Sequence, residues 1–307
     1  MTPILEPGFF SSQPVRTAVV LGAIVALVTA VVGIFTVLRS QAFAGHALTD
    51  VATTGGSGAI YLGVSALAGF IGGSVIGAGA MDLVGVQRAR SRDVATGIVL
   101  GASIGLSALF LYLDTTSTAT TGATQQILFG SIFTIDPSIV PVVGALTAVT
   151  LFAIAAVHRP LLLSSISTEL AAVRGVRTRL VGLAFMLSLA VAVGLSSIAI
   201  GSILSTALLI GPPATALRLT RSVASATVLA CCLGVGTTWL GILLAYDSAD
   251  WSSSSQGLPV SFFIVAIAFV LYLASGLGFV RRWVGRGGVA PSHPRGPVAP
   301  SNETVGR

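Results

Sequence analysis

Residues 17–38 read TAVVLGAIVALVTAVVGIFTVL, an apolar run that contains no charged residue and stops at Arg39. An α-helix needs roughly 20 such residues to cross the hydrocarbon layer of a membrane. The run is also longer than the apolar core of a cleaved signal peptide, so we expect it to remain in the mature chain. It therefore predicts a transmembrane helix.

The composition extends this prediction to the whole chain. Hydrophobic residues make up 54% of the sequence and charged residues 8%, and the mean hydropathy is +0.96. Ordinary soluble domains do not reach these values, and the sequence lacks the short alternating segments of a β-barrel. We therefore predict an all-α integral membrane protein with about eight transmembrane helices. The predicted spans are 17–38, 58–84, 95–114, 137–158, 180–199, 200–217, 221–245 and 259–280.

Short or broken helices are expected near 40–57, 125–134 and 200–217. In the last of these segments, Pro212 and Pro213 remove two backbone donors in a row and should break or kink the helix. Lipid cannot satisfy the freed carbonyl groups, so a break should line a water-filled path. We therefore predict a helix break in a pathway at these prolines, with a simple packing kink as the alternative.

Glycines in the predicted span 58–84 indicate close packing. Gly69, Gly73 and Gly77 repeat every four residues and so lie along one ridge of a helix. Another helix can approach closely at such a ridge.

Arginine residues predict the orientation, because the sequence contains no lysine and cytoplasmic loops retain positive charge. With both termini in the cytoplasm, Arg39 alone of the arginines beside the spans falls outside. We predict a cytoplasmic tail at 1–16, a transmembrane domain at 17–280 and a disordered cytoplasmic tail at 281–307. The net charge of +6 then serves orientation and contact with membrane lipid, and we expect no nucleic-acid partner. The arginines assigned to the cytoplasmic side are Arg88, Arg90, Arg92, Arg159, Arg174, Arg177, Arg179, Arg218, Arg221, Arg281, Arg282 and Arg286.

Polar residues at membrane depth indicate function, because each costs free energy unless it is paired or solvated. His46 and Asp50 stand four residues apart, so a helix would project both side chains from one face. Imidazole and carboxylate together suit a divalent first-row metal such as zinc or manganese. We predict a metal site at this pair, near the outer side. A hydrogen-bonded His–Asp pair in an extracellular loop is the alternative.

The segment 159–179 is a polar and basic connection between two apolar spans. Its centre, Ser167-Thr-Glu-Leu-Ala-Ala-Val-Arg-Gly175, has the pattern of a short helix that Ser167 or Thr168 caps and Gly175 closes. On the cytoplasmic side, such a helix could dock on a soluble partner. An ordinary solvated loop is the alternative interpretation.

Four stretches carry motifs that occur together in one known family: Val37 to Gly55 with Arg39, Gly45, His46 and Asp50; Leu128-Phe-Gly-Ser-Ile132; Glu169-Leu-Ala171 with Gly175; and Leu208-Leu-Ile-Gly-Pro-Pro-Ala-Thr-Ala216. On these stretches the chain resembles the ABC-3 family of permeases, the membrane subunits of zinc and manganese ABC importers. The chain departs from the family pattern where His46 precedes Asp50 instead of following it. Thr54-Gly55 also replaces a Pro-Gly pair, and Ser167 replaces an aspartate.

The resemblance implies a division of labour. Two permease subunits form the pathway, an extracytoplasmic metal-binding protein delivers the ion, and separate ABC ATPase subunits bind ATP. These ATPase subunits would grip Glu169, Leu170, Ala171 and Gly175. A transported divalent metal ion is then expected, but no tightly bound cofactor. A Walker A loop needs a lysine, which this sequence lacks, so we predict a transport subunit of the cell membrane without its own ATPase site.

Two other functions stay open. An ABC permease for another solute, such as an iron chelate, would share the architecture, and His46 and Asp50 would then not bind metal. A secondary transporter or channel would need no ATPase, and uncouplers would abolish proton-driven uptake directly. The sequence has few ionisable residues at membrane depth, which argues against this second alternative.

Overall fold

The computed structural model describes residues 12–84, 92–117, 123–130, 132–248 and 258–284. Within these ranges the only regular elements are helices, so the predicted all-α fold is confirmed. A single 3-10 turn at Pro137–Ile139 precedes α6. The helices are α1 (Gln13–Leu38), α2 (Ala42–Tyr61), α3 (Ala66–Val84), α4 (Arg92–Ser117), α5 (Ala123–Phe129), α6 (Val140–Ala156), α7 (His158–Ile166), α8 (Thr168–Val173), α9 (Thr178–Ile200), α10 (Ser202–Leu219), α11 (Val223–Asp247) and α12 (Val260–Val284).

Seven of these helices are long and apolar enough to cross a membrane: α1, α3, α4, α6 with its preceding turn, α9, α11 and α12. The helices α2 and α10 are not among these seven, but their 20 and 18 residues correspond to about 30 and 27 Å. Both run through the bundle, because α2 packs on α3, α4, α9 and α10, and α10 packs on α1, α11 and α12. Nine of the described helices therefore cross it.

One end of the bundle, which we call the basic face, holds the end of α1, α7, α8 and the start of α9. Arg39 follows α1 and donates from Nη1 to Ser164 Oγ of α7 at 2.9 Å. Arg179, in the first turn of α9, lies 4.0 Å from Asp82 near the end of α3. These contacts place the ends of α1 and α3 at the same level as the predicted basic segment.

The start of α1 lies at the other end of the bundle, which we call the opposite face. Trp239, in the second half of α11, donates from Nε1 to Val19 O of α1 at 3.2 Å, so α1 and α11 run antiparallel. Ser261, at the start of α12, donates from Oγ to Phe129 O of α5 at 3.0 Å. The start of α1, the end of α11, α5 and the start of α12 share this face.

One part of the predicted topology is wrong, because the first and last spans do not begin and end on one side. The helix α1 starts at the opposite face, whereas α12 ends at the basic face. The cause is α2, which crosses as a ninth helix. The predicted span 58–84 therefore divides into the last turn of α2, a turn at 62–65, and α3. Arg39 thereby moves to the basic face, and Arg16 takes its place on the opposite face.

The predicted tails are shorter than expected where the structure describes them. Residues 13–16 belong to α1 and residues 281–284 to α12. Ser12 is described and directly precedes α1. The other residues of both predicted tails, 1–11 and 285–307, lie outside the described residues.

The predicted break at Pro212 and Pro213 is not present, since α10 continues through both prolines. The interruption lies instead before α10, at Gly201, whose φ of 91° separates it from α9. Segment 40–57 is likewise part of one continuous helix, α2, and segment 125–134 contains the short helix α5.

A glycine of α1 explains how α10 tolerates its prolines. Pro213 has no N–H, so the carbonyl of Leu209 lacks its helical donor. Gly33 lies directly against this carbonyl and against the proline ring. A Cα hydrogen therefore faces the oxygen, and such weak contacts help to satisfy carbonyl groups between packed helices.

The predicted glycine ridge of α3 is confirmed as a close approach to α2. A Cβ built on Gly73 would lie 2.8 Å from Gly55 Cα and 2.9 Å from Val51 O. Gly69 faces the same stretch of α2. The two backbones are so close that glycine is required.

Replacing Gly33 with alanine should push α1 away from α10. The added Cβ would lie 2.7 Å from Pro213 Cγ and closer still to Leu209 O, and helical backbone cannot yield as a flexible side chain can. We expect the free energy of unfolding to fall by about 1–3 kcal/mol, the usual cost of overpacking, in reversible unfolding in mild detergent. Gly236→Ala in α11 is the matched control, because nothing lies within 4 Å of its added Cβ. Equal stability of the two variants would contradict the close approach.

Nine crossings predict which positions an impermeant thiol reagent reaches from each side of a membrane. In a background without Cys231 and Cys232, single cysteines at Gln13 and Ser65 should react from one side, and a cysteine at Arg221 from the other. Labelling of intact and permeabilised cells measures this. A cysteine at Gln13 that reacts together with the one at Arg221 would restore the eight-crossing topology.

Candidate functional site

The two residues predicted to bind metal lie together on α2. His46 and Asp50 are one turn apart, with 3.9 Å between His46 Nε2 and Asp50 Oδ2, and their side chains are 44% and 20% exposed. They belong to a helix inside the bundle, so the alternative of an extracellular loop is wrong. Both lie in the half of α2 nearer the basic face. If that face is cytoplasmic, as the arginines predict, the expected position near the outer side is also wrong.

The helix α10 supplies the partner that orients the imidazole. Thr206 Oγ1 lies 3.1 Å from His46 Nδ1 and 3.5 Å from Thr49 Oγ1, and Ser205 Oγ lies 3.5 Å from the same Thr49 hydroxyl. With Nδ1 engaged by a hydroxyl, Nε2 remains for a ligand, and Nε2 is the nitrogen beside Asp50. Sequence reasoning missed Thr206, since it lies 160 residues from His46. The available signal was the cluster of hydroxyl residues that begins the otherwise apolar α10.

One oxygen atom of the Asp50 carboxylate, Oδ2, is buried without a hydrogen-bond partner among the described residues. The imidazole at 3.9 Å is beyond hydrogen-bond distance. A buried carboxylate without a partner is costly in a membrane, and a bound cation would remove that cost.

The geometry of the pair permits one ion to contact both residues. Metal–ligand distances for nitrogen and carboxylate oxygen are about 2.0–2.2 Å, and two such distances together exceed the 3.9 Å separation. In the part of the chain that the structure describes, no group of three or more His, Cys, Asp or Glu residues could hold a metal. Two protein ligands leave several coordination positions open, which suits an ion that passes through.

A hydroxyl continues the polar face of α2 beyond the pair. Thr54 lies one turn after Asp50, and its Oγ1 donates to Ser103 O of α4 at 2.9 Å or pairs with Ser107 Oγ at 2.8 Å. The line of His46, Asp50 and Thr54 is thus a polar stripe along α2. The helix α4 supplies hydrogen-bond partners for Thr54, whereas Asp50 Oδ2 has none among the described residues.

The predicted short helix at the centre of the basic segment is α8. Ser167 Oγ accepts the backbone N–H of Leu170 at 3.1 Å, and Gly175 follows the helix with a φ of 74°, so both predicted end signals are confirmed. Ala171 is fully buried and anchors α8, whereas Glu169 and Leu170 are exposed.

Exposed apolar side chains surround α8 on the basic face. Ile166, Leu170 and Val173 are 77%, 47% and 86% exposed. We call these three residues the α8 patch. Apolar side chains grouped on an exposed surface are typical of a protein interaction site.

The two prolines of α10 and Asp136, which precedes the 3-10 turn, have structural roles. Pro212 and Pro213 are buried, and Pro213 packs on α1, which favours the packing interpretation over a pathway lining. Asp136 accepts the backbone N–H of Ser138 at 2.8 Å as the cap of the 3-10 turn, and this hydrogen bond lowers the pKa of the carboxyl group. The predicted site residues therefore form two separate groups, His46 with Asp50 on α2 and the coupling residues on α8, whereas the prolines of α10 pack against α1.

The model of the ABC 3 transport family matches residues 11–280, almost the whole described chain. The chain belongs to the ABC 3 transport family. Members of this family are the membrane permease components of ABC transporters, whose ATPase is a separate subunit. The resemblance inferred from the four sequence motifs is thereby confirmed.

Curated relatives match over most of their length. The manganese transport system membrane protein MntC of Listeria monocytogenes is 26% identical over 278 residues, covering 90% of this chain and 96% of the relative. The high-affinity zinc uptake system membrane protein ZnuB of Haemophilus influenzae is 27% identical over 241 residues, covering 76% and 88%. The two relatives differ in the metal of their transport systems, manganese for MntC and zinc for ZnuB.

A solved structure shares the fold. PsaBC from Streptococcus pneumoniae, in complex with Fab, aligns with a TM-score of 0.74 and 23% identity, covering 87% of this chain and 92% of that chain. The two chains therefore share the same helical arrangement over most of their length.

Proposed function

We propose that this chain is the membrane permease subunit of an ABC importer that moves a divalent metal ion, manganese or zinc, into the cell. The observation that carries the proposal is the pair of His46 and Asp50, whose buried Oδ2 has no hydrogen-bond partner among the described residues. Membership of a family whose relatives include manganese and zinc permeases supports it.

In this proposal the metal ion is the cargo and not a resident cofactor. His46 Nε2 and Asp50 Oδ2 supply a nitrogen and an oxygen ligand, a mixture that both manganese and zinc accept. Thr206 holds the ring through Nδ1, so that Nε2 stays directed at the ion. The weak hold of two ligands favours release, which a permease requires. No tightly bound cofactor is expected.

The basic face supports an assignment to the cytoplasm, because most arginines beside the membrane helices lie there. A separate ABC ATPase subunit then binds the α8 patch and the neighbouring residues Glu169 and Gly175, while the buried Ala171 anchors α8 beneath them. ATP binds to that subunit, since this chain has no lysine for a Walker A loop. The chain then resides in the cell membrane as a multi-pass protein.

Two further partners complete the importer. A second permease subunit is expected to share the pathway, and α4 offers it a surface. Gly97, Gly101 and Gly105 repeat every four residues there, and nothing lies within 4 Å of a Cβ built on any of them. An extracytoplasmic metal-binding protein is expected to deliver the ion at the opposite face.

Alanine at His46 or Asp50 should abolish metal uptake while the protein stays folded. In cells without other importers, mass spectrometry under metal limitation should show one metal falling to the level of cells without the chain. Thr206→Val should weaken apparent affinity roughly 10- to 100-fold, because only the orientation of the imidazole is lost.

Thr220→Val is the matched control, because the Thr220 hydroxyl bonds only the backbone of its own helix, at Ala216 O. It should behave as wild type. Unchanged manganese, zinc and iron in every variant would point to a different solute and refute the metal site.

Docking of the ATPase subunit should depend on the α8 patch. Val173→Asp places a charge in an apolar contact, and Gly175→Ala strains a backbone with a φ of 74°, so both should reduce co-purification of the ATPase at least several-fold. Glu169→Ala should reduce it less. Val64→Asp, at an exposed valine of the opposite face, is the control and should retain the ATPase. Full co-purification with Val173→Asp would reject the assignment.

A further inference from the structure

Residues 39–41 join α1 to α2 in a tight elbow on the basic face. Ser40 has a φ of 53°, and it is the one non-glycine residue with positive φ in the part of the chain that the structure describes. This conformation is costly for a residue with a side chain and persists only where surrounding contacts hold it. Gln41, the next residue, is buried. The elbow is therefore a strained joint that its neighbours keep in place.

Arg39 connects this elbow to α7. Its Nη1 donates to Ser164 Oγ at 2.9 Å, and Ser164 Oγ donates to Leu161 O at 3.0 Å, so the hydroxyl is oriented to accept from the arginine. The guanidinium group also lies over the ring of Phe185 in α9, 5.3 Å from its centroid. The side chain is thus fixed between two helices.

A second contact joins α1 to the start of α7. The ring of Phe35, one turn before Arg39, meets the ring of His158 edge to face, with 5.7 Å between centroids. The end of α1 and the elbow therefore touch α7 near both of its ends. Because α8 follows α7 after Ser167, a movement of α8 reaches the elbow through α7.

The other arm of the elbow carries the metal pair. His46 lies only about 6 Å along α2 from its first residue, and α2 is uninterrupted from there to Asp50. The partner that orients the imidazole, Thr206, belongs to α10 and not to α2. A shift of the elbow thus moves His46 relative to Thr206.

We infer that Arg39 is a positioning residue that transmits movement of α7 and α8 to His46 and Asp50. This inference rests on the proposed function, in which the ATPase subunit binds α8. Arg39 does not contact the ion in this scheme; it couples ATP hydrolysis on the partner subunit to the geometry of the metal pair. Without it, the α8 patch can still dock and Phe35 still contacts α7, but α7 no longer holds the elbow that leads into α2.

The experiment uses the full-length chain co-purified with its ATPase subunit and reconstituted into proteoliposomes. Uptake of radioactive Mn²⁺, or Zn²⁺ where Mn²⁺ is not moved, and ATP hydrolysis are measured in the same vesicles. The variants are Arg39→Met, which keeps length without charge, and Arg39→Lys, which keeps a donor for Ser164. Arg16→Met, at the other end of α1, is the matched control because its side chain is exposed on the opposite face.

Arg39→Met should lower the number of ions moved per ATP hydrolysed on the order of tenfold, the effect expected for loss of one charge-assisted hydrogen bond. ATPase association and hydrolysis should stay within about twofold of wild type, because the α8 patch is intact. Arg39→Lys should recover most of the ratio, and Arg16→Met should not change it. A residue that only stabilises the fold would lower uptake and hydrolysis together.

Several results would overturn the inference. One is an unchanged ratio in Arg39→Met, and another is a parallel fall of uptake and hydrolysis that Arg39→Lys does not relieve. If Arg39→Met does not assemble, Ser164→Ala removes only the acceptor, and an unchanged ratio there is decisive in the same way. A wild-type complex that moves neither ion refutes the proposed function itself, whereas wild-type uptake with an unchanged ratio refutes only the role of Arg39.

Discussion

Lipid offers no hydrogen bonds, and this constraint explains where the polar parts of the chain lie. Every polar group at membrane depth must find its partner within the protein. The helix α2 carries His46, Thr49, Asp50 and Thr54, and it is enclosed by α3, α4, α9 and α10. The helices α4 and α10 supply hydroxyl and carbonyl partners, and the glycines of α3 let that helix pack closely on α2. A helix with several polar side chains is therefore enclosed by other helices.

The same constraint limits what hydropathy can predict. Apolar runs identify most of the membrane helices, and the seven helices that are long and apolar enough to cross a membrane were all expected from the sequence. The helix α2 also crosses the bundle, but its glycine, threonine, histidine and aspartate residues lower its hydropathy, and other helices pack around it. Its last turn was therefore joined to α3 in one long span. A single missed crossing reverses the side on which the chain begins.

The arginine pattern could not reveal that error. With eight crossings Arg39 is the exception to the positive-inside pattern, and with nine crossings Arg16 takes that place. The number of exceptions beside the membrane helices is the same, so the rule does not distinguish the two topologies. What distinguishes them is a long-range contact, the hydrogen bond from Arg39 to Ser164, 125 residues apart in the chain. Local rules failed at Pro212 and Pro213 for a related reason, since the glycine that accommodates them is Gly33 of another helix.

The depth of the metal pair follows from the corrected topology and bears on how transport can work. Asp50 lies about 12 Å along α2 from the basic face and about 16 Å from the opposite face, so it is close to the middle of the membrane. At the opposite face, Gly130 after α5 and Gly201 before α10 press backbone against backbone, and α12 is tied to α5 by Ser261. In the proposed importer, this packed backbone would lie between the pair and the opposite face. A central site that is closed at one end is the arrangement that alternating access requires. The elbow that leads into the helix carrying the site is held to α7 by Arg39, so the proposed drive and the proposed cargo site lie on two helices joined by one short connection.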